Sequence, residues 1–473
     1  MEAGYLSMTI LKQQANWEQL TKGAHQAKEM GQPILVSYTQ RIDAWDPLSF
    51  FAKAGNLLHG ERSFWSDSTR EIVLVGVGHT LIFDERDTVG ENRFSAVERK
   101  WKEWVANALI SENGGPGTGP VIIGGFSFDP EKKKTDLWKG YHDASLILPR
   151  WMLTLNEHGR WLTTNVVLTP EENIAQLKEQ LNKEKSILDE AAQTVSFAKG
   201  TPFVTKEVAP DSWKQSIGLA TREIQKEKLK KVVLARELRL TGESSFSPEG
   251  TLASLHANQP DSYIFAIERG DGCFIGASPE RLVKREGRRL LSNCVAGSTV
   301  RGADIKEDLA LGEELLHDQK NKDEHDFVVQ MICEAFCQES ENVEVPDEPT
   351  LHKLRYIQHL FTPVTGWARE GTSLLSMVHR LHPTPALGGW PWSESLSWIR
   401  EQEILDRGWY AAPIGWLDAR GDGEFCVAIR SGLLRGAQAS LFAGNGIVEE
   451  SDPEKEYEET RWKFRPMLSA LEH

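Results

Sequence analysis

Residues 439–463 read Ala439-Ser440-Leu441-Phe442-Ala443, then Gly444-Asn445-Gly446, then Ile447-Val448-Glu449-Glu450-Ser451, and finally Asp452-Pro453-Glu454-Lys455-Glu456-Tyr457-Glu458-Glu459-Thr460-Arg461-Trp462-Lys463. The apolar run that opens the stretch is strand-like. Asp452 followed by Pro453 is an N-cap with proline at the first helical position, so the acidic residues after it begin a helix. Spacings of three and four stack Glu456, Glu459 and Lys463 on one face, Met467 continues the stripe, and that face is expected to point inward. On spacing alone, Glu459 and Lys463 are a common surface pair worth about 0.3–0.5 kcal/mol. The glycines change the weighing: Gly444-Asn445-Gly446 reads as a loop that turns backbone N–H groups toward an anion. Arg430, in Ala428-Ile429-Arg430, adds a second group for an anion. Carboxylates for a cation beside donors for an anion imply a metal-assisted reaction on an acidic substrate.

The rest of the chain bounds that reading. Its 473 residues are 40% hydrophobic and 26% charged, an ordinary globular composition with room for a large core. A net charge of −15 with no long basic run excludes nucleic acid and anionic membrane as partners. The start, Met1-Glu2-Ala3-Gly4, lacks the basic and apolar regions of a secretion signal, and no stretch of about 18 apolar residues occurs. A cytoplasmic protein is expected. Cys273, Cys294, Cys333, Cys337 and Cys426 are odd in number and irregularly spaced, which reads as reduced core thiols. Nothing in the sequence signals an oligomeric state.

Residues 1 to about 200 alternate strand-like runs (71–83, 121–128, 161–168) with helical patterns near 93–110 and 170–198. The last is polar with a thin stripe of Leu177, Leu181, Ile187 and Leu188, and reads as a bridge between two lobes. Asn113-Gly114-Gly115-Pro116-Gly117-Thr118-Gly119-Pro120 is a turn or flexible loop; it lacks the ending of a phosphate-binding loop.

Beyond residue 205 the chemistry is denser. A helix over 210–229 leads to Lys231-Val232-Val233-Leu234-Ala235-Arg236, a buried strand behind a lysine. Gly276-Ala277-Ser278-Pro279-Glu280 sets a carboxylate just after a proline turn. In the helix 321–338, Phe327, Val328, Met331, Ile332, Ala335 and Phe336 form one face, and Glu324 precedes its first members by helical spacings. Glu324 therefore faces the core, where a carboxylate needs a partner or a metal, while His325 points elsewhere as a structural residue. With no zinc-type His or Cys cluster, an all-oxygen carboxylate site is magnesium chemistry.

Taken together and in order, Lys231–Arg236, Gly276–Glu280, Ala296-Gly297-Ser298, Lys320 through Glu324-His325, His382-Pro383-Thr384-Pro385-Ala386-Leu387-Gly388-Gly389, Gly421-Asp422-Gly423-Glu424 and the closing segment resemble the chorismate-utilising enzymes over residues 205–470. Within that family the chain looks most like the isochorismate synthases, including those that feed menaquinone synthesis. The resemblance implies an α+β fold with two large, mainly antiparallel sheets flanked by helices and the site between them. It also implies a variable N-terminal lobe (1–200) packed on a chorismate-binding catalytic region (201–473), the two intertwined as one domain.

Carried over by motif, the resemblance implies that Glu324 and Glu459 bind Mg²⁺ for the ring carboxylate of chorismate, with Glu456 behind them or acting through metal-bound water. Arg430 and the N–H groups of Gly444, Asn445 and Gly446 would take the enolpyruvyl carboxylate, with Lys463 orienting it. Ala296, Gly297, Ser298, Ala386, Leu387 and Tyr410 would complete the substrate site. Lys231 would be the general base that activates water for attack at C2 and Glu280 the acid that protonates the departing C4 hydroxyl. Those roles require the lysine's pKa to be lowered and the glutamate's raised. Relatives that use ammonia carry glutamine in place of Lys231, so neither ammonia nor an amidotransferase subunit is expected. Aminodeoxychorismate synthases carry a nucleophilic lysine where this chain has Ala296. Salicylate synthases tend to carry threonine where it has Ala386, and they and the siderophore-pathway isochorismate synthases are the alternatives.

Overall fold

A computed structural model describes residues 17–472 apart from 44, 56, 86–91, 112–113, 190–195 and 198–199. The chain's first residues, Asn113 and the end of the 170–198 pattern lie outside the described residues. Long β-strands pair almost entirely antiparallel; the parallel exception among the described pairs joins Ile34–Arg41 to Leu109–Ile110. The ladder forks at the long strand Ala144–Asn156, which pairs with Val73–Glu85 along its length and with Val121–Phe126 at its start. One arm continues through Arg62–Ser66, Tyr263–Arg269, Gly272–Ser278, Ser431–Arg435 and Gln438–Ile447 to Lys231–Gly242. The other runs through Pro413–Asp418, Gly423–Val427, Arg281–Glu286 and Arg289–Val300 to Ile357–Ala368. With helices packed on both, the fold is α+β as expected, and the two large antiparallel sheets are arms of one continuous ladder.

The strand-forming runs explain their own placement. Val121–Phe126 is buried at every position and carries no polar side chain, while Gly423–Val427 is buried throughout with Glu424 in it, whose Oε1 accepts from Tyr263 Oη at 2.7 Å and Arg281 Nε at 2.6 Å. One core gathers Trp65, Trp101, Trp138, Trp409 and Trp416; a second gathers Phe50, Phe51, Trp151, Leu240, Phe464 and Met467. Strands from the first 200 residues pair into both arms, since Trp65 pairs with Phe265 and Ile123 with Trp416.

Several expectations are corrected. The helix Ile174–Asp189 does not bridge lobes: its buried Glu184 accepts bonds from Arg150 Nη1 and Trp151 Nε1, both at 2.8 Å, and fastens it to its own end of the chain. The 114–120 segment, by contrast, is turns as expected, pinned by Asn156 Nδ2 on the carbonyls of Gly114 and Pro116, each at 3.0 Å. Cys273, Cys294 and Cys426 are core thiols, but Cys333 is half-buried and Cys337 exposed, because both lie on the solvent side of the Gln319–Glu339 helix. Among the described residues no helix is long and apolar enough to cross a membrane.

The join between the N-terminal strands and the rest is electrostatic as well as apolar. Arg62, 1% exposed, forks onto Glu268 through Nε (2.8 Å) and Nη2 (2.5 Å), and its Nη1 donates to Phe51 O at 2.8 Å. Removing one member of a buried pair strands the other, at a cost of about 3–5 kcal/mol. Arg62→Met is expected to lower the unfolding free energy obtained from urea titration by about 3–5 kcal/mol, and so the midpoint, and adding Glu268→Leu to recover part of the loss. An unchanged midpoint in the single variant would rule out this join as a stabilising element.

Candidate active site

A cavity of about 800 Å³ opens where the two arms face each other, walled by residues of the Lys231, Gln438–Ile447 and Arg289–Val300 strands and by the Gln319–Glu339 and Pro453–Glu472 helices. Glu280, Ala296, Gly297, Ser298, Glu324, Ala386, Leu387, Tyr410, Arg430, Gly444, Gly446 and Lys463 all line it. The motifs dispersed over the chain therefore converge on one hollow.

Lys231 starts its strand at the wall of this cavity, its side chain 2% exposed, and its Nζ lies 2.6 Å from Glu324 Oε1. Gly446 makes the approach possible: a Cβ there would sit 2.6 Å from Lys231 Cε and 3.3 Å from Glu324 Oε1. Gly444-Asn445-Gly446 is not a loop. It is the end of the Gln438–Ile447 strand, with Gly444 opposite Ala235 and Gly446 opposite Val233. On a strand only alternate N–H groups face one edge, so this segment offers the cavity fewer donors than a loop would. Its glycines serve close approach instead.

Glu280 follows the strand Gly272–Ser278, and its carbonyl accepts from Val427 N–H at 3.0 Å. Burial pushes its carboxyl up to about 8, against the opposing pull of the Lys231 and Arg430 cations. It thus keeps its proton at neutral pH, as the acid role requires. Arg430 sits at φ +52°, a left-handed conformation that costs a non-glycine residue on the order of 1–3 kcal/mol. Its carbonyl is held by Ala277 N–H at 3.1 Å, and Gly276 leaves room, since a Cβ there would meet that carbonyl at 3.0 Å. Burial depresses the Arg430 guanidinium, which leaves a cation short of compensation beside Glu280.

The closing helix starts as read: Asp452 Oδ1 caps the N–H groups of Glu454 (3.1 Å) and Lys455 (3.0 Å). Lys463 Nζ donates to Glu459 (2.8 Å), to Gly444 O (3.0 Å) and to Asn445 Oδ1 (2.5 Å), so the i,i+4 pair exists but is tied into the strand. Asn445 itself is turned from the cavity, its Nδ2 donating to Glu456 Oε2 at 2.8 Å, while Ser451 Oγ donates to the other Glu456 oxygen at 2.8 Å. Lys463 holds the Glu459 carboxyl below its ordinary range, whereas burial and the neighbouring Glu459 push Glu456 up.

Sequence reasoning misplaced or missed other residues. His325 is buried, not turned away: its ring nitrogens meet Ala296 O at 3.2 Å and Thr362 Oγ1 at 2.8 Å, tying the Glu324 helix to the Ala296 strand. The helix's buried line runs His325, Val328, Ile332, Ala335 and Phe336, which leaves Glu324 half-buried at the cavity edge. Arg407 was missed. It forks onto Glu403 (2.6 and 2.7 Å) and donates to Leu387 O (3.0 Å) and Val233 O (2.7 Å), which fixes two cavity walls. The signal was Glu403 four residues before Arg407, but the segment is not helical, so spacing gave it no meaning. His359 also lines the cavity, and burial pushes its imidazole down to about 3.

The donor chemistry suits a hard cation. Glu324, Glu456 and Glu459 offer only oxygen, and Glu456 and Glu459 repel each other without a full set of cations to offset them. Among the described residues no three His, Cys, Asp or Glu side chains are gathered into an all-protein cage. Mg²⁺ characteristically binds through one or two carboxylates plus water and substrate anions, so the residues present fit it.

Comparison with known proteins agrees with this geometry. A family model described as chorismate binding enzyme matches residues 21–472. Isochorismate synthase MenF of Bacillus subtilis is 43% identical over 456 residues, covering 94% of this chain and 95% of that protein. The salicylate biosynthesis isochorismate synthase of Pseudomonas aeruginosa is 36% identical over 449 residues, covering 94% and 92%. The solved menaquinone-specific isochorismate synthase MenF from Escherichia coli superposes with a TM-score of 0.75 at 25% identity, covering 96% of this chain and 100% of that one. A family match over nearly the whole length, on a fold whose cavity collects the motif residues, means that this chain belongs to the chorismate binding enzyme family.

Proposed function

We propose that the enzyme converts chorismate to isochorismate with Mg²⁺, in the service of menaquinone synthesis. The observation that carries this reading is the pairing of opposite chemistries in one cavity: Glu280, whose carboxyl keeps its proton up to about pH 8, and the buried amine of Lys231. Lys231 takes a proton from water as its oxygen bonds to C2. The double bonds shift, the C4–O bond breaks, and Glu280 gives its proton to the departing hydroxyl. One water enters and one leaves, so the conversion is an isomerisation and freely reversible. The relatives named above as isochorismate synthases support the same reaction, and the full-length likeness to the menaquinone-type protein supports that pathway.

Charge complementarity explains how a protein of net charge −15 accepts a dianion. Arg430 and the strand-edge N–H groups beside Gly444 take the enolpyruvyl carboxylate, and Lys463 fixes that edge by holding Gly444 O. Glu324 and Glu459, with Glu456 behind them, would hold Mg²⁺, which when bound supplies positive charge for the ring carboxylate. Glu324 has two alternative uses. It pairs with Lys231 Nζ at 2.6 Å, and it is one of the carboxylates for Mg²⁺. Ala296 brings no nucleophile, and Lys231 suits water rather than ammonia, so no amidotransferase subunit is part of the reading.

Purified protein incubated with chorismate and Mg²⁺, with and without ammonium, should yield isochorismate alone on chromatography, and none after EDTA. Salicylate with pyruvate would move it to the lyase branch, and anthranilate formed only with ammonium would overturn the role of Lys231.

A carboxyl raised to about 8 is protonated below that pH and charged above it, so kcat/KM should be level toward neutrality and fall about tenfold per pH unit above pH 8. Glu280→Gln should lower kcat about 10²–10⁴-fold and abolish that alkaline limb. The same limb persisting in the residual activity of Glu280→Gln would assign it to another group.

Gly446→Ala places a methyl against the flexible end of Lys231 rather than against backbone, so the fold should tolerate it. The lysine must move by roughly an ångström, for which a loss of about 10²-fold in kcat is expected with little change in thermal midpoint. Full activity in this variant would show that the position of Lys231 is not critical.

A further inference from the structure

Among the described residues, nothing earlier in the chain than Val233 lines the active cavity. The N-terminal half nonetheless reaches the back of its wall at one residue. Phe128, 3% exposed, lies just past the strand Val121–Phe126, and its backbone closes onto two segments of the catalytic region. Its N–H donates to Gly408 O at 2.6 Å, and its carbonyl accepts from His382 Nε2 at 3.0 Å. Burial pushes the His382 imidazole down to about 3, so the ring is neutral and Nε2 carries the proton that this bond needs. The side chain sits between the same two segments. The Arg407 guanidinium lies over its ring, with the central carbon 4.2 Å from the centroid, and the His382 ring stands perpendicular to it at 5.7 Å.

Arg407 is where this contact meets the chemistry. Its bonds to Glu403, Leu387 O and Val233 O run from the edges of a planar fork, so they fix the guanidinium within its plane and leave the tilt of that plane to whatever packs on its face. An aromatic ring supplies both the flat surface and the attraction, about 2 kcal/mol for a desolvated pair. Phe128 is itself held on either side. Arg93 donates to Ser127 O at 2.7 Å and to Ser127 Oγ at 3.1 Å, and Asp129 takes a fork from Arg400 of the Trp392–Gln402 helix at 2.7 and 3.0 Å. A tilt of Arg407 would be passed to the carbonyls of Leu387 and Val233, both in the cavity lining, and Val233 is two residues from Lys231.

We infer that Phe128 is a positioning residue of this active site, acting through Arg407: its ring sets the plane of the guanidinium that holds the Val233 and Leu387 walls. The inference rests on the proposed reaction for what those walls do, and it gives the N-terminal half a part in turnover although none of its described residues lines the cavity.

Phe128→Leu, Arg407→Lys and the double variant of the full chain test this, with Phe83→Leu as control. Phe83 is a phenylalanine of the same half, also 3% exposed, whose ring packs on Trp101 instead. Loss of chorismate is followed rather than any one product, so a wild type that makes salicylate or anthranilate would fail the proposed function without failing this inference. Phe128→Leu should lower kcat about tenfold and leave KM within about twofold, because Arg430 and Lys463, which take the substrate's anion, are untouched. Arg407→Lys should lose at least as much, and the double variant no more than Arg407→Lys alone, since both act through one group. Amide exchange followed by mass spectrometry, a readout that needs no turnover, should quicken over residues 231–236 in Phe128→Leu and not in Phe83→Leu, although both lower the thermal midpoint. If Phe128→Leu proves unfolded, Phe128→Met, of similar volume without the ring, takes its place. Losses that multiply in the double variant, an equal loss of kcat in Phe83→Leu, or wild-type kcat and exchange in Phe128→Leu would each overturn the inference.

Discussion

The contact between Lys231 and Glu324 organises this molecule's chemistry. The lysine begins a strand of one sheet arm, and the glutamate rides on a helix packed against the other, so the 2.6 Å ion pair spans the gap in which the substrate is to lie. A buried ammonium is expensive unless it is paired. The surrounding structure meets that requirement: Gly446 has no side chain to block the lysine, and His325 clamps the glutamate's helix to the opposite strand. The pair therefore serves as a spacer between the sheets and a store of two reactive groups that neutralise each other until something better binds.

The rest of the site follows the same economy of charge. Arg430, Lys463, Glu280 and Glu324 line one cavity, and Lys231 and Glu459 pair with members of that lining, whereas Arg430, Glu280 and Glu456 are in no ion pair among the described residues. Glu280 lies too deep to ionise readily, and Arg430 is depressed by the same burial. Glu456 is raised by burial and by its neighbour. A folded protein tolerates this frustration where ligands later relieve it. An anion beside Arg430 and a cation beside Glu456 and Glu459 would each offset part of that penalty.

Much of this was legible in the sequence, and the limits were physical. Asp452-Pro453 and the three–four spacing of Glu456, Glu459 and Lys463 were readable because helix geometry is local. The stripe after Glu324 was readable for the same reason, although its centre lies one residue over, at His325. Gly444-Asn445-Gly446 was misread because glycine serves both turns and close approaches, and only the neighbour across the gap tells which. Arg407 was invisible because its partners Val233 and Leu387 lie far off in the chain. Strand order, and the pairing of Trp65 with Phe265 and Ile123 with Trp416, depended on contacts that periodicity does not encode.

Arg407 and Glu403 show how far the strand behind the site is itself part of the machinery. Glu403 accepts from Ala235 N–H at 2.8 Å, and Arg407, held by Glu403, grips Val233 O on the same strand and Leu387 O on the neighbouring segment, where Gly388 O accepts from Val233 N–H at 3.0 Å. Arg407 forms part of the wall of the active cavity. A displacement of Glu403 would have to be accommodated by Ala235, Val233 or Leu387, because close-packed interiors leave no slack to absorb it. Since Val233 is two residues from Lys231, the backbone that sets the lysine's reach is the element most exposed to that strain.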